Sequence, residues 1–195
     1  HMDIAVILLL FAEALLALAA LYFSGLLKRP KDVAVCAALV AAAFVVRGLC
    51  FNHVTADYET FLSVWVEYFR NNGGFAALAE PIGNYNVPYM YFLAAFSYIG
   101  IDDLYLIKLL SVFFDIVLAY AAMSLAGLYT TSRVKRLAAF FGVLFLPTVV
   151  LNGAYWGQCD SIYAAFAVLG IYFALSGRPS AGMACMAVSF AFKLQ

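Results

Sequence analysis

Arg47, Lys108, Asp115 and Lys193 stand in long apolar stretches of this 195-residue chain. Charge at membrane depth is expensive and marks either a site or a structural pair. Lys108 and Asp115 are seven residues apart, on one helix face and two turns distant. Asp115 falls near the middle of its stretch and reads as the partner of a base on another helix. Arg47 and Lys193 fall near the ends of theirs. Snorkelling to the interface accounts for either alone; both together, beneath an acid-rich loop, suit a lipid phosphate held at the membrane surface. A second group, Asn152, Tyr155, Trp156, Gln158 and Asp160, puts amides, a carboxylate and two aromatics at the mouth of an apolar stretch. In a third, His53 to Glu59, Asp57 precedes a helical pattern and, on the residues alone, reads as its N-cap.

The elements that hold these groups are membrane helices. Hydrophobic residues make up 67% of the chain and charged ones 11%, with a mean hydropathy of +0.97; a soluble domain carries about 25% charged residues. Formal net charge is zero, so nothing points to nucleic acid. The four cysteines lack metal-ligand spacing, and three lie inside apolar runs as packing residues. Stretches near the ~20 apolar residues of a span cover 4–27, 33–51, 104–128, 137–152, 161–176 and 180 to the end. The first is too long, and lacks the basic flank, for a signal peptide. The expectation is an all-α integral membrane bundle of about six transmembrane helices. It forms a single module over 1–195, read as the N-terminal half of a longer protein.

The apolar, tyrosine-rich segment 87–101 is short, and basic residues decide whether it crosses. They cluster at Lys28, Arg29 and Lys31, at Arg133, Lys135 and Arg136, and at Arg178. All fall on one side, as cytoplasmic charge should, only if 87–101 does not cross. Residues 52–103 then form the first external loop, with helices lying in the interface. In it Phe61, Val64, Trp65 and Tyr68 make the apolar stripe of a helix stopped at Gly73-Gly74.

Five motifs follow in order from that loop onward. They are Asp57-Tyr58-Glu59 before an interfacial helix, Tyr85-Asn86-Val87-Pro88 opening a second, Lys108-Leu-Leu-Ser111 with Asp115, Tyr155-Trp-Gly-Gln-Cys-Asp-Ser161, and Phe192-Lys-Leu-Gln195. Together they resemble the bacterial relatives of the GPI-anchor mannosyltransferases and, more distantly, the dolichyl-phosphate-glucose-dependent glucosyltransferases, all of the glycosyltransferase-C superfamily. The resemblance covers about 47–195. Val87 departs from the family's paired prolines.

The resemblance implies transfer of a hexose, mannose by leading association, from a polyprenyl-phosphate donor to a lipid-linked glycan, other glycan or protein. The reaction would run with inversion, at the external face of a bacterial cytoplasmic membrane. It implies Asp57 as catalytic base, with Glu59, Gln158, Asp160, Tyr58 and Trp156 binding substrate and Arg47 and Lys193 holding the donor phosphate. A phosphate leaving group needs no protonating acid, so one base suffices, and cations stabilise the charge that develops. No cofactor is required; a divalent cation on Asp57 and Asp160 is compatible with the resemblance. The competing reading is a transporter or channel subunit with Asp115 and Lys193 on its path. The absence of a convincing internal repeat weighs against it.

Overall fold

The computed structural model describes residues Met2–Lys193, and among them there are helices and no strands. Helices α1 (Ile4–Phe23), α2 (Pro30–Cys50) and α5 (Asp103–Tyr129) are long and apolar enough to cross a bilayer. Between α2 and α5 lie a π-helical turn (Tyr58–Leu62), α3 (Ser63–Asn71), a 3-10 turn (Gly74–Ala79) and α4 (Val87–Phe96). After α5 come α6 (Arg133–Leu144), α7 (Pro147–Val150), a second π-helical turn (Leu151–Tyr155), α8 (Asp160–Leu175) and α9 (Pro179–Phe192).

The architecture is that of a helical membrane protein, but six spans are not what the chain forms. At 1.5 Å per residue, the 16 residues of α8 reach about 24 Å and the 14 of α9 about 21 Å, short of the ~30 Å hydrocarbon core. The expected 137–152 span is broken. Segments Arg133–Leu144 and Pro147–Tyr155 meet at 42°, because Pro147 has no amide hydrogen to continue the ladder. The count is therefore three spanning helices, or four if the bent pair acts as one. α4, ten residues long and about 15 Å, is too short to cross, as expected of 87–101.

α5 is the hub. Half of its apolar window is buried, against 17% for α1, and it contributes to both hydrophobic cores. One joins α5 to α1, α2 and α6 through Val6, Val40, Phe44, Val112, Ala119 and Phe140. The other joins it to α3, α4, α8 and the end of α9 through Trp65, Phe69, Leu93, Ile107, Ile162 and Phe192. α8 and α9 approach backbone to backbone: a Cβ on Gly182 would lie 2.9 Å from the Gly170 carbonyl oxygen, the small-residue contact that lets apolar helices pack closely.

Two local expectations about α3 change. Its inward stripe is Leu62, Trp65, Val66 and Phe69; of the expected stripe Trp65 is buried and Tyr68 half-buried against the core, while Phe61 and Val64 are exposed. Asp57 does not cap it either. The Thr55 hydroxyl accepts from the Tyr58 amide at 3.3 Å, and Asp57, two residues further on, keeps its carboxylate for other contacts. The stop at Gly73-Gly74 is as expected, both glycines having left-handed φ of 85° and 61°.

Candidate functional site

The site is assembled on one polar face of α5. Tyr105, Lys108, Ser111 and Asp115 recur at helical spacing, and each fixes a different segment. The Tyr105 hydroxyl donates to Asn52 Oδ1 at 2.9 Å. Lys108, fully buried, donates to the carbonyls of Cys50, Phe51 and His53 at 3.0, 3.1 and 2.6 Å. It thereby caps the C-terminal end of α2, where the helix dipole favours a cation. The Ser111 hydroxyl donates to the Gln158 carbonyl at 2.7 Å. Asp115 accepts from Arg47 Nε and Nη2 at 3.1 and 2.9 Å through Oδ2, and from Ser161 at 2.5 Å through Oδ1.

These bonds bring the start of the 52–103 loop against the 152–161 turn. The turn fits closely because Gly153 and Gly157 carry no side chain. A Cβ on Gly153 would lie 3.3 Å from Asp115 Oδ2, and Gly157 has φ +70° with the Lys108 stem beside it. Across this junction Gln158 Nε2 donates to Asp57 Oδ2 at 2.5 Å, and its Oε1 accepts from the Tyr85 hydroxyl at 2.8 Å. Tyr85 is held well above the usual phenol range, by burial first and then by Cys159, Asp57 and Asp160; it is a neutral donor set among acids. His53 stacks on Tyr155, ring centroids 3.7 Å apart. Both π-helical turns border the junction, one just after Asp57 and one containing Asn152; such turns recur at functional sites.

Beside it, Asp160 Oδ1 accepts from Lys193 Nζ at 2.6 Å and Oδ2 from Asn152 Nδ2 at 2.9 Å. The Asp160 and Lys193 side chains stay about one-third exposed, and their hydrogen bond, its largest cause, holds the Lys193 ammonium above its usual range. A cleft of about 220 Å³ opens here between Thr148, Asn152, Asp160, Ser161 and Tyr163, smaller than the ~300–1,000 Å³ of drug-sized sites. Asn152 Oδ1 is buried in the protein without a partner, an acceptor suited to a hydroxyl or amide donor.

The predicted residues do not all converge. Asp57, Gln158, Asp160 and Lys193 share this face. Arg47 does not: it is completely buried, and its Nη1 also donates to the carbonyls of Ala43 and Leu144 at 3.2 and 2.9 Å. The Leu144 carbonyl is freed by the break before Pro147, so Arg47 holds a broken helix and, completely buried, does not reach the face that Asp57 and Lys193 share. Asp115 has the base on another helix that its depth demanded. Tyr58 packs between the two cores and is raised above the usual phenol range by burial, then by Asp102 and Asp103; it looks toward α5's first turn rather than toward Gln158. Glu59 is exposed, and Trp156 is 52% exposed at the surface. Among the described residues no three His, Cys, Asp or Glu side chains converge as metal ligands. At Asp160 the Lys193 ammonium lies against Oδ1.

Glu13, midway along α1, is the lone acid of the 4–27 run and was legible there as a candidate. It lines an apolar groove with Leu9, Phe96, Leu109 and Phe113, and its Oε2 is buried without a partner. Tyr85 was visible in its motif but given no role; Ser111 was detectable as the step between Lys108 and Asp115. Comparison with models of known protein families, with curated proteins and with solved structures finds no match, and no family is assigned on that ground.

Proposed function

We propose that this chain forms the catalytic face of a membrane glycosyltransferase using a polyprenyl-phosphate hexose, mannose first among candidates, at the external face of a bacterial cytoplasmic membrane. Asp57 is the base. The acceptor hydroxyl oxygen forms a bond to the anomeric carbon, the bond from that carbon to the phosphate oxygen breaks, and the hydroxyl proton passes to Asp57. Polyprenyl phosphate leaves as an anion, and the centre inverts. Acceptors are glycans, lipid-linked or not, or protein.

The observation that carries this reading is the Asp57–Gln158–Tyr85 chain, which unites three motifs that the resemblance singled out separately. Gln158 fixes Asp57 Oδ2, while Oδ1 has no hydrogen-bond partner among the described residues and is open to an acceptor proton. Lys193, partly exposed and paired with Asp160, is the cation suited to the leaving phosphate; Arg47 is dropped from that role. No divalent ion enters the mechanism. The transporter reading loses support because Asp115 and Lys193 are each engaged by their own partners.

The test is transfer of radiolabelled mannose from polyprenyl-phosphate-mannose by membranes containing the protein. Asp57→Asn should lower the rate by roughly 10²–10⁴, the range of general base catalysis. Undiminished transfer by the variant removes Asp57 as base, and no transfer from any lipid-phosphate sugar removes the reading.

A further inference from the structure

At the other end of α2 and α5 lies a second polar cavity, of about 450 Å³. It is lined by Ser24, Gly25, Leu26, Lys28, Arg29, Thr131, Arg133 and Arg136. The 21 residues of α2 separate it from the Asp57 junction by about 30 Å, so the two open at opposite membrane faces. Its walls come from segments a hundred residues apart in sequence, 24–29 between α1 and α2, and 131–136 at the start of α6. Segments 28–32 and 133–136 carry six cations, Lys28, Arg29, Lys31, Arg133, Lys135 and Arg136, against one acid, Asp32. That acid is already taken, since Arg133 Nη1 donates to Asp32 Oδ2 at 2.6 Å.

The remaining cations are not neutralised within the protein. Lys28 and Arg29 are exposed and make no side-chain hydrogen bond among the described residues. Arg136 is half-buried against Gly127, where a Cβ would lie 3.0 Å from its Nε, and that Nε is buried without a partner. An arginine packed into a cavity wall with a dry, unmatched donor calls for an acceptor that the fold does not supply. Guanidinium groups facing a cavity at the level of the headgroups match the oxygens of a phosphate.

We propose that this cavity binds a phosphate group, with Lys28, Arg29 and Arg136 as its ligands, and that the headgroup of an anionic lipid supplies it. Occupation would tie the α1–α2 loop to the start of α6 on the face opposite the Asp57 junction. Native mass spectrometry of the detergent-solubilised protein tests this with dioleoyl phosphatidylglycerol, dioleoyl phosphatidylcholine and inorganic phosphate as separate probes. Phosphatidylglycerol should be retained over phosphatidylcholine. Lys28→Gln with Arg29→Gln should weaken that retention roughly 30-fold, at about fivefold per cation near a membrane surface. Lys31→Gln with Lys135→Gln removes the same charge outside the cavity and should cost far less. Both pairs are at exposed positions, so neither should disturb the fold. Retention of inorganic phosphate alone, lost in the first pair, would support the phosphate site and assign it to the free anion instead. Equal losses in the two pairs would overturn the proposal, as would equal retention of the two lipids with no binding of inorganic phosphate.

Discussion

Replacing Asp115 by asparagine removes the carboxylate that Arg47 meets inside the bundle, and the structure sets the size of the effect. Arg47 and Asp115 are both completely buried, joined through Nε and Nη2 at 3.1 and 2.9 Å. Guanidinium cannot shed its charge in a protein, so Asp115→Asn leaves a buried cation without its anion, at a cost of about 3–5 kcal/mol. For a chain of this length that is a fall of roughly 6–20 °C in apparent melting temperature. Replacing both partners by apolar residues, Arg47→Met with Asp115→Leu, removes the charges together and should restore most of the loss. The Leu144 carbonyl still loses its 2.9 Å donor, so the double variant should remain about 1–3 kcal/mol below the wild type. The chain carries its own reporter: Cys36 and Cys159 are free thiols, 3% and 4% exposed. A fluorogenic maleimide read against temperature in detergent therefore follows their release on unfolding. An Asp115→Asn protein melting within about 2 °C of wild type, below the shift expected for even 1 kcal/mol, would falsify the idea that this pair holds the broken helix to α2. A double variant no better than Asp115→Asn would do the same.

Lys108→Met strips the donor from three carbonyls at the end of α2; a loss of at least about 1.5–3 kcal/mol is expected, read in the same melting assay, and an unchanged midpoint would contradict the capping role. The Cys159 thiol, in the turn before α8, is pushed up to about 11 from 9.0, by burial first and then by Asp160. Because the folded value is the higher one, the stability it contributes is complete below pH 9 and is lost as pH rises through 11. The wild type should therefore lose more stability than Cys159→Ala between those values, by about 2–3 kcal/mol, and parallel melting curves for the two proteins would refute this. Gly182→Val drives a side chain into the Gly170 carbonyl and Ala174, and should wedge α9 from α8. Bismaleimide cross-linking of cysteines placed at 160 and 193, in a background with the native cysteines replaced, should fall sharply in that variant. Persistence of the cross-link would show that the glycine contact does not set the position of Lys193.

Hydropathy made the helical membrane class readable, together with α1, α2 and α5, because a spanning helix writes its length directly into the chain. It overcounted spans where length and apolarity parted company. Residues 161–176 are apolar, yet α8 is too short to cross, and Pro147 bends a stretch whose composition is continuous. Segment 87–101 was readable as non-spanning because it is short, and the helix it forms is shorter still, ten residues. At the site, Asp57, Gln158 and Asp160 were legible as polar residues with no apolar reason to be there. Arg47 was misplaced for a physical reason: nearness to a helix end suggested an interface, whereas the broken helix beside it supplied an unsatisfied carbonyl that no reading of its own segment could reveal. Tyr58 failed in the same way, since a loop tyrosine can point up to substrate or down between two cores.

The polar face of α5 explains why the buried charges and the Asp57–Gln158 junction belong to one arrangement. Lys108 fixes where α2 ends and thus where the chain toward Asp57 begins. Ser111 holds the main chain of Gln158, whose side chain reaches Asp57. Asp115 holds Ser161, next to Asp160, and through Arg47 the carbonyl at the helix break. One helix thus sets the height of both segments that meet at the junction, three to four residues per step. Lys108 and Asp115 therefore act on the junction by placement, each buried and bonded and neither exposed to a ligand. If chemistry occurs at this junction, substituting either residue should disturb it by moving Asp57 relative to Gln158.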